Sequence, residues 1–109
     1  MDIELLHQRA AFLRTIRQFF DERSYLEVDT PSLSCDLIPE SSLEVFSTEY
    51  RPPYASVRQS QPLYLIPSPE IYMKKLLAAH RQSLYQICHC FRNGESTGRW
   101  HSPEFSMLE

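Results

Sequence analysis

Residues 84–109 read LYQICHCFRNGESTGRWHSPEFSMLE. The opening half is rich in apolar and aromatic side chains, and its alternation predicts a strand. Tyr85, Ile87, His89 and Phe91 fall on one face; Gln86, Cys88, Cys90 and Arg92 fall on the other. Both glycines of the chain, Gly94 and Gly98, lie in the loop that follows. After the loop, PEFSMLE can return as an antiparallel partner. The loop and its flanks also hold Arg92, Glu95, Arg99 and His101, more charge than a simple turn requires.

Upstream of this hairpin, SPEIYMKKLLAAHR (68–81) carries the start signals of a helix. Ser68 is the expected N-cap, Pro69 the first helical residue, and Glu70 a first-turn acid near the positive end of the helix dipole. Tyr72, Met73, Leu76, Leu77 and His80 make its apolar side. LYLIP (63–67) before it reads as a short apolar strand, and RPPYASVRQSQP (51–62) as a Pro-rich loop or hairpin turn. LEVFSTEY (43–50) alternates weakly, as a strand would. At the N-terminus, residues 3–23 read as an amphipathic helix capped by Asp2. Its stripe is Leu6, Ala10, Leu13, Ile16 and Phe20, widened by Leu5, Phe12 and Phe19. YLEVDTP (25–31) follows as a short half-buried strand that Pro31 stops. Helices and strands do not alternate as βαβ units, so the expected class is α+β with an antiparallel sheet flanked by helices.

Length and composition narrow the function. At 109 residues the chain fits one domain with a modest core. Its net charge of −3, with no basic stripe, argues against a protein that grips nucleic acid through many phosphates. No apolar run reaches the ~20 residues of a membrane span. The N-terminus has acids where a signal peptide has bases, which points to the cytoplasm. Cys88 and Cys90 flank His89, but structural zinc sites use four ligands and favour C-x2-C spacing. Reduced thiols at period 2 in a buried strand fit better, and no metal ligand is assigned.

The chemistry concentrates at the loop. An arginine fork at position 92 binds carboxylate or phosphate bidentately. Glu95 can accept from an amine, Arg99 and His101 can meet anions, and Phe105 offers a flat face to a heteroaromatic ring. This set suits an anionic, ring-bearing ligand such as a nucleotide; it also suits a plain solvated hairpin tip. Glu70 is explained locally by the helix dipole, whereas Glu109 has no local explanation.

FRNGESTGRWHSPEFSMLE resembles motif 2 of the class II aminoacyl-tRNA synthetases, lysyl branch, and FLRTIRQFFDERSYLEVDTPSL resembles motif 1. PLYLIPSPEIYMKKLLAA resembles the segment between them. The GRWHSPEF loop and the opening directly on the motif 1 helix are most similar to the truncated lysyl-like members of this family that modify elongation factor P. The resemblance implies that residues 1–109 form the N-terminal portion of a class II catalytic domain. Motif 1 would span about 12–33 and motif 2 about 84–109, with no anticodon-binding domain.

The resemblance also implies roles. Arg92 would hold the ATP α-phosphate and the amino-acid carboxylate as the catalytic residue. Glu95 would lie near adenine, His101 near the distal phosphates, and Phe105 would stack on the base. Glu70 would receive the substrate α-amino group and Glu109 the side-chain amine. Pro31 would lie at the interface of a homodimer. The implied activity is ATP-dependent activation of lysine or β-lysine and transfer to elongation factor P. Two alternatives are aminoacylation of tRNA(Lys) and a non-catalytic dimerisation or binding fragment. Motif 3 and the Mg2+-binding acids are expected beyond residue 109, so the 109-residue chain alone is expected to be inactive.

Overall fold

A computed structural model of the protein describes residues 1–37, 44–54, 59–94 and 98–109. Helix α1 spans Ile3–Asp21, and the Asp2 carboxylate caps it by accepting from the Glu4 N–H at 2.9 Å. It stops short of the expected residue 23 because the chain turns there. The Tyr25 N–H reaches back to the Phe20 carbonyl, and Ser24 takes a positive φ of 60°. Only part of the predicted stripe is covered. Ala10, Leu13, Ile16 and Phe20 are half-buried, whereas Leu6, Leu5, Phe12 and Phe19 are exposed. Leu5, Phe12 and Phe19 do not widen the buried face, because each is rotated about 100° around the helix from its neighbour in the predicted stripe, Leu6, Leu13 or Phe20.

The strands are β1 (Leu26–Glu27), β2 (Leu33–Ser34), β3 (Ser47–Tyr50), β4 (Gln61–Leu65), β5 (Leu84–Tyr85), β6 (Ile87–Phe91) and β7 (Glu104–Leu108). The class is α+β, as expected. β2, β4 and β3 form an antiparallel sheet, and β6 and β7 an antiparallel ribbon. One pairing departs from the antiparallel expectation: β1 runs parallel to β5, Leu26 beside Leu84. The strand predicted over 43–50 forms at its C-terminal half; Leu43 lies outside the described residues. The Pro-rich segment joins β3 to β4, whose antiparallel pairing makes it a hairpin connection. Pro62 is tolerated in β4 because β2 reaches only Tyr64 and Leu65, leaving that flank at an edge.

Helix α2 spans Glu70–His80. The Ser68 hydroxyl accepts from the Glu70 N–H at 3.0 Å, the capping contact the sequence predicts, although the regular helix starts one residue after Pro69. The core sits between α2, the end of β4 and the start of the β6–β7 ribbon. Ile66, Tyr85, Gln86 and Cys90 are almost fully buried there, with Met73 nearly so. Phe20 of α1 stacks on Tyr85 with centroids 4.4 Å apart, which fastens the helix to the sheet. The buried Gln86 side chain is satisfied by Thr30: its Oε1 accepts from the Thr30 N–H at 2.6 Å, and its Nε2 donates to the Thr30 hydroxyl at 2.9 Å. The segment after β1 is thereby tied to the start of the ribbon across 56 positions of sequence.

Candidate functional site

Strand register brings the first group of candidate residues together. Antiparallel partners project to the same face, and Cys90 pairs with Phe105. Arg92 is two residues along from Cys90, and its N–H donates to the Pro103 carbonyl at 2.9 Å. Arg92 and Phe105 therefore share a face, and the guanidinium carbon lies 5.1 Å from the ring centroid. A cleft of about 330 Å³ opens here, lined by Arg92, Trp100, His101, Ser102, Phe105 and Ser106. The Arg92 Nε makes one long contact, 3.4 Å, to the Pro67 carbonyl. Among the described residues no carboxylate forms an ion pair with it. The cleft thus presents a half-buried cation beside a half-buried aromatic ring. Arg99 is not among its lining residues; its guanidinium stands 5.3 Å from the Trp100 centroid. Glu95 lies outside the described residues.

The second group gathers at the other end of the same ribbon face. Beyond β7 the ladder gains one more rung, with Gln86 and Glu109 exchanging two hydrogen bonds of 3.0 Å. Glu109 thus follows Phe105 and Met107 along one row. Opposite it, α2 contributes Glu70, and a pocket of about 240 Å³ is lined by Glu70, Met73, Lys74, Leu77, Leu84 and Glu109. The Lys74 ammonium lies 2.7 Å from the Glu70 carboxylate. That hydrogen bond and the Glu70 charge raise the Lys74 pKa, and Glu109 adds to the effect. The pocket thus sets the Glu70 and Glu109 carboxylates around the Lys74 ammonium, beside the apolar side chains of Met73, Leu77 and Leu84.

Cys88 and Cys90 lie between the two sites with their sulfurs 3.7 Å apart. Burial pushes both thiols up, Cys90 to about 12, so both stay protonated at neutral pH. They belong to the packed face of the strand, in keeping with their period-2 spacing. Pro31 is exposed just after β1. Three features escape a reading by motif and period. The Gln86–Thr30 tie joins distant segments, and nothing local signals it. The Glu70–Lys74 pair has the i,i+4 spacing of helical ion pairs, which could have disclosed it. Trp100 is visible as an aromatic next to His101, but only the folded loop makes it a cleft wall.

The sequence profile described as "tRNA synthetases class II (D, K and N)" matches residues 3–109. The chain belongs to this family. Among class II synthetase relatives it is 51% identical over 108 residues to the elongation factor P–(R)-β-lysine ligase of Vibrio atlanticus (strain LGP32), covering 98% of this chain and 32% of that protein. The protein of the same name from Haemophilus ducreyi is 49% identical over 107 residues, 98% of this chain and 32% of the relative. That of Edwardsiella ictaluri is 51% identical over 104 residues, 95% and 31%. The chain spans about a third of the length of these curated relatives. Class II synthetase-like ligases use ATP and Mg2+. No group of three or more His, Cys, Asp or Glu side chains that could seat a metal ion gathers among the described residues, so no seat for Mg2+ is assigned here. No described helix is long and apolar enough to cross a membrane.

Proposed function

We propose that this chain carries the ATP- and amino-acid-binding face of a cytoplasmic ligase that activates lysine or β-lysine and passes it to a lysine of elongation factor P. The observation that carries the reading is the shared cleft of Arg92 and Phe105, with a guanidinium 5.1 Å from an aromatic centroid. A nucleotide needs that pairing, one group for a phosphate and one for a base. The opposite end of the ribbon face supplies the complement for an amine-bearing substrate, Glu70 and Glu109. The name of the relatives, elongation factor P–(R)-β-lysine ligase, supports the amine-bearing half.

In the first step a substrate carboxylate oxygen attacks the α-phosphorus of ATP. An oxygen–phosphorus bond forms, the bond from that phosphorus to the bridging oxygen breaks, and pyrophosphate leaves. Arg92 neutralises charge on the carboxylate and α-phosphate as they approach, so its contribution is positional and electrostatic. Phe105 carries the adenine, His101 meets the distal phosphates, and Glu95 accepts from the adenine side. Glu70 binds the substrate α-amino group (the β-amino group in β-lysine), and Glu109 the side-chain ammonium. In the second step the acceptor amine attacks the mixed anhydride carbonyl. An amide forms, AMP leaves, and the amine gives up a proton. Motif 1 at about 12–33 supports a homodimer in which Pro31 and the exposed Phe12 and Phe19 of α1 face a second copy. Phe12→Glu should then convert a dimer to a monomer in sedimentation.

The test is lysine- or β-lysine-dependent ATP–pyrophosphate exchange, here and below measured on the full-length protein, with residues 1–109 alone expected to show none. Arg92→Ala should abolish it; unchanged exchange in that variant would overturn the assignment. The family description includes tRNA synthetases, so tRNA(Lys) is the competing acceptor. The protein should label elongation factor P and leave tRNA(Lys) uncharged; efficient tRNA charging would reverse the order.

A further inference from the structure

The thiols of Cys88 and Cys90 take no part in the proposed reaction. Their sulfurs lie 3.7 Å apart on the ribbon face between the two sites. Cys90 is buried and Cys88 half-buried, so Cys88 opens the pair to solvent. Cys88 pairs in register with Met107, which places a thioether-bearing side chain beside it on the same face. His89, between the two cysteines, projects to the opposite face, where its Nδ1 is hydrogen-bonded to Glu104 at 2.7 Å. No cluster of three His, Cys, Asp or Glu side chains forms among the described residues. The donors gathered on this patch are therefore sulfurs. Zinc completes four ligands, whereas thiolate and thioether donors select copper(I). The spacing suits a chelate. At metal–sulfur bonds of ~2.3 Å, sulfurs 3.7 Å apart subtend roughly 107° at the ion.

We propose that Cys88 and Cys90 form a two-thiolate seat for copper(I), with the Met107 thioether as a third donor. Two copper–sulfur bonds form and two protons leave, one from each thiol; no electron is transferred. A coordinating ion deprotonates thiols that burial otherwise keeps neutral. Two thiolates around one monovalent ion leave a single net negative charge. Arg92, two positions from Cys90 on the same face, offsets it, since its charge already favours the Cys90 thiolate. Bound copper therefore draws on the cation that the proposed nucleotide site needs, and should inhibit amino-acid activation. That consequence rests on the proposed function; the binding itself does not.

The test titrates the reduced full-length protein, without oxygen, with copper(I) held by the chelator bicinchoninate. The wild type should capture copper from the chelator. Cys88→Ser and Cys90→Ala should each weaken that capture by more than the roughly 10- to 100-fold lost with an outer-shell partner. Met107→Leu should weaken it less, and Cys35→Ser, which alters the exposed third thiol, should not. Zinc at equal concentration should not displace the copper. Should Cys90→Ala fail to fold, the half-buried Cys88 still tests the pair. No capture by the wild type, or capture unchanged in Cys88→Ser, would overturn the proposal. So would ready displacement by zinc, which would show that sulfur softness does not govern the site. Copper should also lower pyrophosphate exchange in the wild type and spare Cys88→Ser. Capture without that loss would uphold the site and overturn its link to Arg92; loss of exchange in both proteins would place the inhibitory copper elsewhere.

Discussion

The cleft at Arg92 and the pocket at Glu70 lie toward opposite ends of one ribbon face, yet their charged groups are in different states. The Arg92 guanidinium has no ion-pair partner among the described residues, only a long contact to a carbonyl and the face of the Phe105 ring 5.1 Å away. Glu70 is already engaged, with the Lys74 ammonium 2.7 Å away. An anion arriving at Arg92 gains a new charge-assisted contact. An ammonium arriving at Glu70 exchanges one ion pair for another and gains only the difference. On the proposed assignment, the Arg92 end would supply most of the binding and catalytic energy, and the Glu70 end selection.

The largest expected effect tests the open cation. Arg92→Ala should lower kcat in pyrophosphate exchange by about 100- to 1,000-fold, as loss of a transition-state charge donor does. Arg92→Lys should recover only part, since it keeps the charge and loses the planar fork. A loss below ten-fold would mean that the two ends are not unequal in this way.

Glu70→Gln should come next, raising the KM for lysine about ten-fold with little change for ATP, the scale of one charge-assisted hydrogen bond. A parallel rise for both substrates would mean that the two sites are one.

Gln86→Leu leaves the Thr30 N–H without its buried partner, and should destabilise the fold by about 1–3 kcal/mol in denaturant unfolding. Because Gln86 also pairs with Glu109 through the backbone, the KM for lysine should respond more than that for ATP. Wild-type stability would remove the tie from the account.

Lys74→Met should have the smallest effect on substrate binding. Freeing Glu70 from an exposed helical ion pair should lower the KM for lysine about two-fold. A rise instead would show that Lys74 orients Glu70 and does not compete for it.

The thiols between the two ends give a pH signature. Burial holds Cys90 protonated up to about 12, against 9.0 for a free thiol. The unfolded chain releases this proton first, so the thiol's contribution to stability is intact below pH 9.0 and is lost as pH rises toward about 12. Cys90→Ala should flatten the decline of unfolding midpoints across that window. An unchanged slope would assign it to other groups.

Much of this was legible in the residues. The Asp2 cap, the Ser68–Pro69–Glu70 helix start and the β6–β7 hairpin depend on neighbours a few positions apart; the first and last formed where expected, and the helix began one residue late, at Glu70. Period-2 alternation was enough to place Arg92 on the Cys90 face. Less legible was the extent of burial. Leu5, Phe12 and Phe19 look as apolar as Leu13 or Phe20, but apolarity does not say which stripe meets a sheet. The parallel β1–β5 pair was hidden for a similar reason: two-residue strands carry almost no periodic signal, and their partner lies 58 positions away.

The sequence alone determined the local elements, the family and the order of charged and aromatic residues along the ribbon, because caps, periodicity and turn chemistry act over a few residues. Tertiary structure decided which of those residues share a cavity. Register set Phe105 beside Arg92, α2 carried Glu70 to Glu109, and the Gln86–Thr30 tie fixed one segment against the other. These are contacts between segments distant in the chain, and only packing brings them within reach.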